Sequence, residues 1–173
     1  LADVLGGKGK VYIQNTNVGV STTEQRSEGF KEGIAEFPDM TLVGEDYNLD
    51  SADTATTQTA AVLQREPDLA GIFGVNVFSA EGAGNAVVNS GMNVQVIAYD
   101  ATIDAIEKLR AGTVSMVLAQ KPFDMGYLAV QFAMADASGV TSLPRRVVTG
   151  FAIITRDNVD DPEVARFIYQ TPS

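Results

Sequence analysis

A guanidinium, two amides and two carboxylates each follow an apolar run in this sequence. They are Arg26 after Val11–Gln14, Asn76 after Gly71–Gly74, Asp100 after Val94–Tyr99, Gln120 after Val114–Ala119 and Asp50 after Thr41–Asp46. If the runs are strands of one parallel sheet, right-handed crossovers return every strand in the same direction, and all five side chains gather at one edge. Open α/β sheets bind ligands at that edge. The set suits a neutral polyol with many hydroxyls and does not suit a phosphate. Each residue also has an ordinary reading. Asp100 can cap a helix starting at Thr102, Asn76 can occupy a left-handed turn, Gln120 can be a solvated loop residue, and Arg26 can pair with Glu24 or Glu28 on an exposed helix face. Their shared position past successive strands favours the joint reading.

The elements that must position them recur in a simple cycle. Lys10–Gln14 reads as a strand, and Thr22–Glu36 as an amphipathic helix with Phe30, Ile34 and Phe37 on one face, stopped by Pro38-Asp39. Thr41–Asp46 follows as a strand and Asp53–Glu66 as a helix with Asp53 at its N-cap. Then come strand Gly71–Gly74, helix Ser79–Ser90 capped by Gly91, strand Val94–Tyr99, helix Thr102–Ala111 and strand Val114–Ala119. The strands are continuous apolar runs without alternation, as expected when helices cover both faces of a sheet. The pattern predicts an α/β fold with a doubly wound parallel sheet. Helix Asp124–Ser138 fits the cycle poorly, because Lys121-Pro122 is a natural place for the chain to leave the domain. A polar connector Gly139–Arg146, a strand Val147–Thr155 and a short helix Asp160–Tyr169 opened by Asp160-Asp161-Pro162 complete the reading. Leu1–Leu5 before Gly6-Gly7 reads as the last turn of a helix with its glycine cap, which predicts a truncated or processed fragment.

Composition narrows the chemistry. The 173 residues are 45% hydrophobic, enough for a core, and carry 22 acidic against 12 basic residues for a net charge of −10. No basic patch for nucleic acid is on offer. The absence of Cys and His removes disulfides, thiolate zinc sites, a Cys nucleophile and the commonest general base. Gly82-Ala83-Gly84 has Val87 where a dinucleotide fingerprint requires glycine, and no Gly-Lys-Ser/Thr loop occurs. The expectation is therefore no enzyme, no catalytic residues, no metal and no cofactor.

Four segments in order carry a resemblance. Thr22-Thr23-Glu24-Gln25-Arg26-Ser27-Glu28-Gly29-Phe30, Pro67-Asp68-Leu69-Ala70-Gly71-Ile72-Phe73, Val96-Ile97-Ala98-Tyr99-Asp100 and Leu118-Ala119-Gln120-Lys121-Pro122 resemble the carboxyl-terminal lobe of type I periplasmic sugar-binding proteins. The ribose- and galactose-binding components of bacterial ABC importers are the nearest kin, and the ending Gly150–Pro162 is similar to the tail of that family. The resemblance implies a single type I lobe in which Arg26, Asn76, Asp100 and Gln120 bind the sugar. Asp50 is a further candidate contact. Val77 stands where many relatives carry Asp, and Asn48-Leu49-Asp50 stands where a ring-stacking aromatic is common, so the sugar is left open.

By the same resemblance, residues 1–120 form the second lobe, 121–146 belong with the first lobe, and 147–173 return to the second. The implied partners are a monosaccharide or polyol and the permease of an ABC transporter, in the periplasm or, in a Gram-positive cell, outside the membrane. Met125, Leu128, Ala129, Phe132 and Ala133 lie at helical spacing, an apolar stripe that without a first lobe needs another cover. Either docking on its own domain or a homodimer formed by segment exchange would supply it. The alternative function is the effector domain of a lactose-repressor-type regulator, which shares this fold.

Overall fold

The computed structural model describes residues 1–170. Five strands run parallel: β1 Lys8–Asn15, β2 Asp39–Tyr47, β3 Leu69–Gly74, β4 Gln95–Tyr99 and β5 Val114–Ala119. A sixth, β6 Ala152–Ile154, pairs antiparallel with β5, and among the described residues the sheet order is β2-β1-β3-β4-β5-β6. The helices are α1 Ala2–Leu5, α2 Ser21–Ala35, α3 Ala52–Arg65, α4 Val77–Ser90, α5 Ile103–Ala111, α6 Pro122–Ala137 and α7 Pro162–Ala165. The α/β class and the order of elements agree with the sequence.

Local chemistry sets the helix ends. Ser51, Asn76 and Thr102 each accept a backbone N–H from the first turn of α3, α4 and α5 respectively, and Gly91 and Gly112 end α4 and α5 in the left-handed conformation. One expected cap is thereby corrected and one alternative reading set aside. Ser51, not Asp53, caps α3, because its hydroxyl sits three residues before Thr54 N and reaches it at 3.2 Å. Asp100 does not cap α5, since Thr102 Oγ1 already receives Ala105 N at 3.2 Å.

The tail needs two further corrections. The strand expected over 147–155 shrinks to Ala152–Ile154 and reverses direction. Ala152 pairs with Ala119, so residues before it would have to pair beyond the end of β5, where the chain turns into Pro122, which has no N–H to give. The helix expected over Asp160–Tyr169 is only one turn, α7, because Tyr169 N donates to Ala101 O at 2.8 Å instead of to its own helix.

The two faces of the sheet are covered unequally. On one, α3, α4 and α5 bury Val62, Leu63, Ala83, Ile106 and Leu109 against Tyr12, Ile72, Val96 and Val117. On the other, α1 and α2 cover Val11, Ile13 and Phe73, with Phe30 stacked on Phe73 at 5.0 Å between ring centroids. Toward β4 and β5 this second face is partly open. Helix α6 stands apart, with no buried residue; Met125, Ala129 and Ala133 are exposed and Leu128 and Phe132 half-buried. Docking of its stripe on its own domain is thus not what the structure shows.

The close pairing of α3 and α4 depends on Gly82. A Cβ there would lie 2.5 Å from Ala52 O and 2.7 Å from Thr56 N, both backbone atoms that cannot step aside. At Gly84, two residues along the same helix, the nearest atom would be Lys108 Cδ at 3.4 Å, the end of a flexible side chain. Alanine in a helix gains up to about 1 kcal/mol over glycine, whereas overpacking costs about 1–3 kcal/mol. Gly82→Ala is therefore expected to lower unfolding stability in urea by about 1–2 kcal/mol, and Gly84→Ala to leave it unchanged or raise it. Equal effects of the two substitutions would refute this account of the helix pair.

Candidate ligand-binding edge

Asp46, Gln14, Gly74, Ala98 and Val117 form one rung across β2, β1, β3, β4 and β5. Every parallel strand stops at this rung or within two residues of it, so Asp50, Asn76, Asp100 and Gln120 emerge at the same edge, and Arg26 reaches it from α2. The structure arranges these five residues in three small clusters.

The first cluster centres on Asp100, which is only 8% exposed. Its Oδ1 accepts Gln120 Nε2 at 2.6 Å and Tyr169 OH at 2.8 Å, while its own N–H donates to Leu118 O at 2.9 Å. Gln120 is thus not a free loop residue. Burial first, and then the bond to the Asp100 carboxylate, push the Tyr169 phenol well above its ordinary pKa, so at neutral pH it is a proton donor. Asp100 adopts a φ of +74°, rare for a residue with a side chain.

In the second cluster Arg26 Nη1 donates to Val75 O at 2.8 Å, and its guanidinium lies 3.7 Å above the centre of the Tyr99 ring. This cation–π stack fixes the plane of the fork. The expected alternative partners are engaged elsewhere, Glu24 by Gly19 N at 2.6 Å and Glu28 by Lys31 at 3.2 Å. In the third cluster Asn76 has two roles: Oδ1 caps α4 through Ser79 N at 3.0 Å, and Nδ2 donates to Asp50 Oδ1 at 2.7 Å. Leu49 and Asp50 are both left-handed, with φ of 56° and 60°.

Sequence reasoning missed Tyr99 and Tyr169. An aromatic ring immediately before Asp100 was a usable signal for the first; for Tyr169, 69 residues from its carboxylate, there was none. It also missed a supporting network that holds α2, and hence Arg26, against the sheet. Glu45 accepts Asn15 Nδ2 at 2.6 Å and Ser27 Oγ at 2.7 Å and pairs with Lys31 at 2.8 Å. Burial alone would raise the Glu45 carboxyl, but the bonds from Lys31, Asn15 and Ser27 together outweigh it and hold the group below its ordinary value.

The "Periplasmic binding protein domain" family model matches residues 1–140. The chain belongs to this family. Among the family's characterised members, the ribose import binding protein of Bacillus subtilis is 31% identical over 133 residues, covering 77% of this chain and 43% of that protein. The D-allose-binding periplasmic protein of Escherichia coli is 31% identical over 144 residues, covering 79% and 45% respectively. An ABC transporter solute-binding protein from Agrobacterium vitis, solved with alpha-D-tagatopyranose bound, superposes with a TM-score of 0.95 at 42% identity. That match covers 98% of this chain and 57% of the solved one. The chain therefore spans less than half the length of the two curated relatives it matches.

The Glu45 network makes a prediction about pH. Because the folded pKa lies below the unfolded one, Glu45 stabilises the fold fully above about pH 4.5, and that contribution is lost as the pH falls through the lower folded value. Glu45→Gln is expected to unfold at lower urea than the parent at pH 7 and to approach it at pH 3. A gap of the same size at both pH values would contradict the assignment.

Proposed function

We propose that this chain is the carboxyl-terminal lobe of the substrate-binding component of a bacterial ABC importer, and that it takes a monosaccharide or a similar polyol. The supporting observation is the edge where Arg26, Asn76, Asp100 and Gln120 converge in a chain of the periplasmic binding protein family. Arg26 would donate its fork to a ring oxygen and a hydroxyl, and Asp100 would accept hydroxyl protons. Such charge-assisted bonds are the stronger and more directional kind. Asp50 contributes a second carboxylate beside Asn76. The protein binds its ligand without transforming it, by closure of two lobes about a hinge, and delivers it to a membrane permease from the periplasm or the outer surface. Residues 1–120 and 147–173 would supply this lobe, and 121–146 would pack with the other. Among the described residues no helix is long and apolar enough to cross a membrane. The named relatives favour the binding-protein reading over the repressor reading.

The test is calorimetry on the full-length protein with D-ribose, D-allose and D-tagatose. At least one is expected to bind near micromolar affinity, worth about 8 kcal/mol, and Asp100→Asn to weaken it by roughly 10- to 100-fold, since a buried charged partner is lost. The present chain alone lacks the groups of an opposing lobe and is expected to bind only at millimolar concentrations. Absence of any heat with all three sugars, or micromolar binding by this chain alone, would count against the proposal.

The exposed stripe on α6 leads to an expectation about assembly. With Met125 exposed and Leu128 and Phe132 only half-buried among the described residues, the isolated chain covers the stripe by exchanging α6 with a second copy, Lys121-Pro122 acting as the hinge. Light scattering is expected to give the dimer mass, and Phe132→Glu the monomer mass. A monomer for the unsubstituted chain would refute segment exchange.

A further inference from the structure

We propose that Tyr169, on the segment following α7, is a positioning residue that makes Asp100 offer one oxygen to the ligand instead of two. The proposal rests on reading this edge as a sugar or polyol site. A carboxylate oxygen has two good acceptor directions, and on Asp100 Oδ1 both are filled, by Gln120 Nε2 at 2.6 Å and Tyr169 OH at 2.8 Å. Among the described residues Oδ2 accepts no hydrogen bond, and it is not one of the buried polar atoms left without a partner, so it keeps some contact with solvent and is the oxygen left for a ligand. Two short bonds on one oxygen also stop the group from turning about its terminal bond.

Tyr169 is itself well held for this task. Its N–H donates to Ala101 O at 2.8 Å, on the residue next to Asp100. Two residues earlier, the Phe167 ring lies 5.3 Å from Lys121 Nζ, and Lys121 adjoins Gln120. The segment thus grips the neighbours of both residues that meet at Oδ1. The consequence is selectivity. A ligand presenting hydroxyls to Oδ2 alone is accepted, whereas one needing a vicinal diol across both carboxylate oxygens would have to displace the phenol.

The experiment uses the full-length protein, with Tyr169→Phe, and measures D-ribose, D-allose and D-tagatose by calorimetry. Phenylalanine keeps the ring and the backbone bond to Ala101 and deletes only the donor. The best-bound sugar is expected to weaken roughly tenfold, and the ratio between best and worst to narrow, because Asp100 can now turn and accept through either oxygen. Tyr169→Leu should narrow it as well. In the sugar-free protein the side-chain amide resonances of Gln120 should move on Tyr169→Phe, reporting the change at their shared acceptor. Unchanged affinities across the panel, an equal loss for all three sugars, or an unmoved Gln120 amide would overturn the proposal. Failure of the unsubstituted protein to bind any of the three would overturn the sugar reading and this proposal with it, whereas binding that ignores Tyr169 would overturn this proposal alone.

Discussion

The parallel register of five strands is the constraint on which the rest depends. Side chains alternate between the faces of a strand, so slipping any one by a single residue would turn its buried set toward the wrong face. Val11 and Ile13 on β1 show what is at stake, since both are fully buried under α1 and α2, while Tyr12 between them points into the opposite core. Once Gln14, Gly74, Ala98 and Val117 share a rung, the loops after the strands have no freedom about which edge they occupy. The convergence of the candidate residues is therefore a consequence of core packing, not of attraction among the residues themselves.

Beneath that edge lies a chain of buried and part-buried polar contacts that ties β1, β2 and α3 together. Tyr12 OH lies 2.8 Å from Gln14 Oε1 and 2.9 Å from Asp46 Oδ2, Gln14 Nε2 donates to Gln58 Oε1 at 2.7 Å, and Gln58 donates to Tyr47 O at 3.0 Å. Burial, and then the nearby Asp46 charge, raise the Tyr12 phenol far above its usual range, so it stays a donor at any physiological pH. Leaving one buried member of such a chain unpaired costs about 1–3 kcal/mol, so the network specifies one arrangement of β2 against β1. Asn48 extends it toward the edge through Nδ2 to Ser79 Oγ at 2.8 Å, joining the loop after β2 to the start of α4.

What was legible in the sequence was what local patterns control. Continuous apolar runs bounded by Pro-Asp or glycine marked the five parallel strands, and polar residues past their ends marked the edge. What escaped were arrangements decided by distant partners. The pairing of β6 depends on where β5 stops, and the length of α7 depends on Ala101 taking the Tyr169 N–H. Glu45 looks like any surface carboxylate in Gly44-Glu45-Asp46 until Asn15, Ser27 and Lys31 arrive from β1 and α2. The choice of Ser51 over Asp53 as a cap was within reach of local chemistry, because either side chain suits the role and only the start of the helix separates them.

The strained residues fall where the candidate residues are. Apart from glycines, the described chain takes positive φ at Leu49, Asp50 and Asp100, a conformation that costs roughly 1–2 kcal/mol for a residue with a Cβ. Each is held by bonds from the framework: Leu49 N donates to Thr16 O and Asp100 N to Leu118 O, both at 2.9 Å, and Asp50 accepts Asn76 Nδ2. Internal bonds also engage most of the amide donors at this edge, Asn76 Nδ2 on Asp50 and Gln120 Nε2 on Asp100. What they leave without an internal partner among the described residues is rich in acceptors, namely the second oxygens of two carboxylates, beside one guanidinium that has given a single N–H to Val75 O. A ligand made of hydroxyls can donate to those acceptors and take the guanidinium N–H groups with its own oxygens. An anion would face two carboxylates in a chain of net charge −10, which is why the proposed ligand, a neutral polyol, rests on the balance of free groups more than on any single residue.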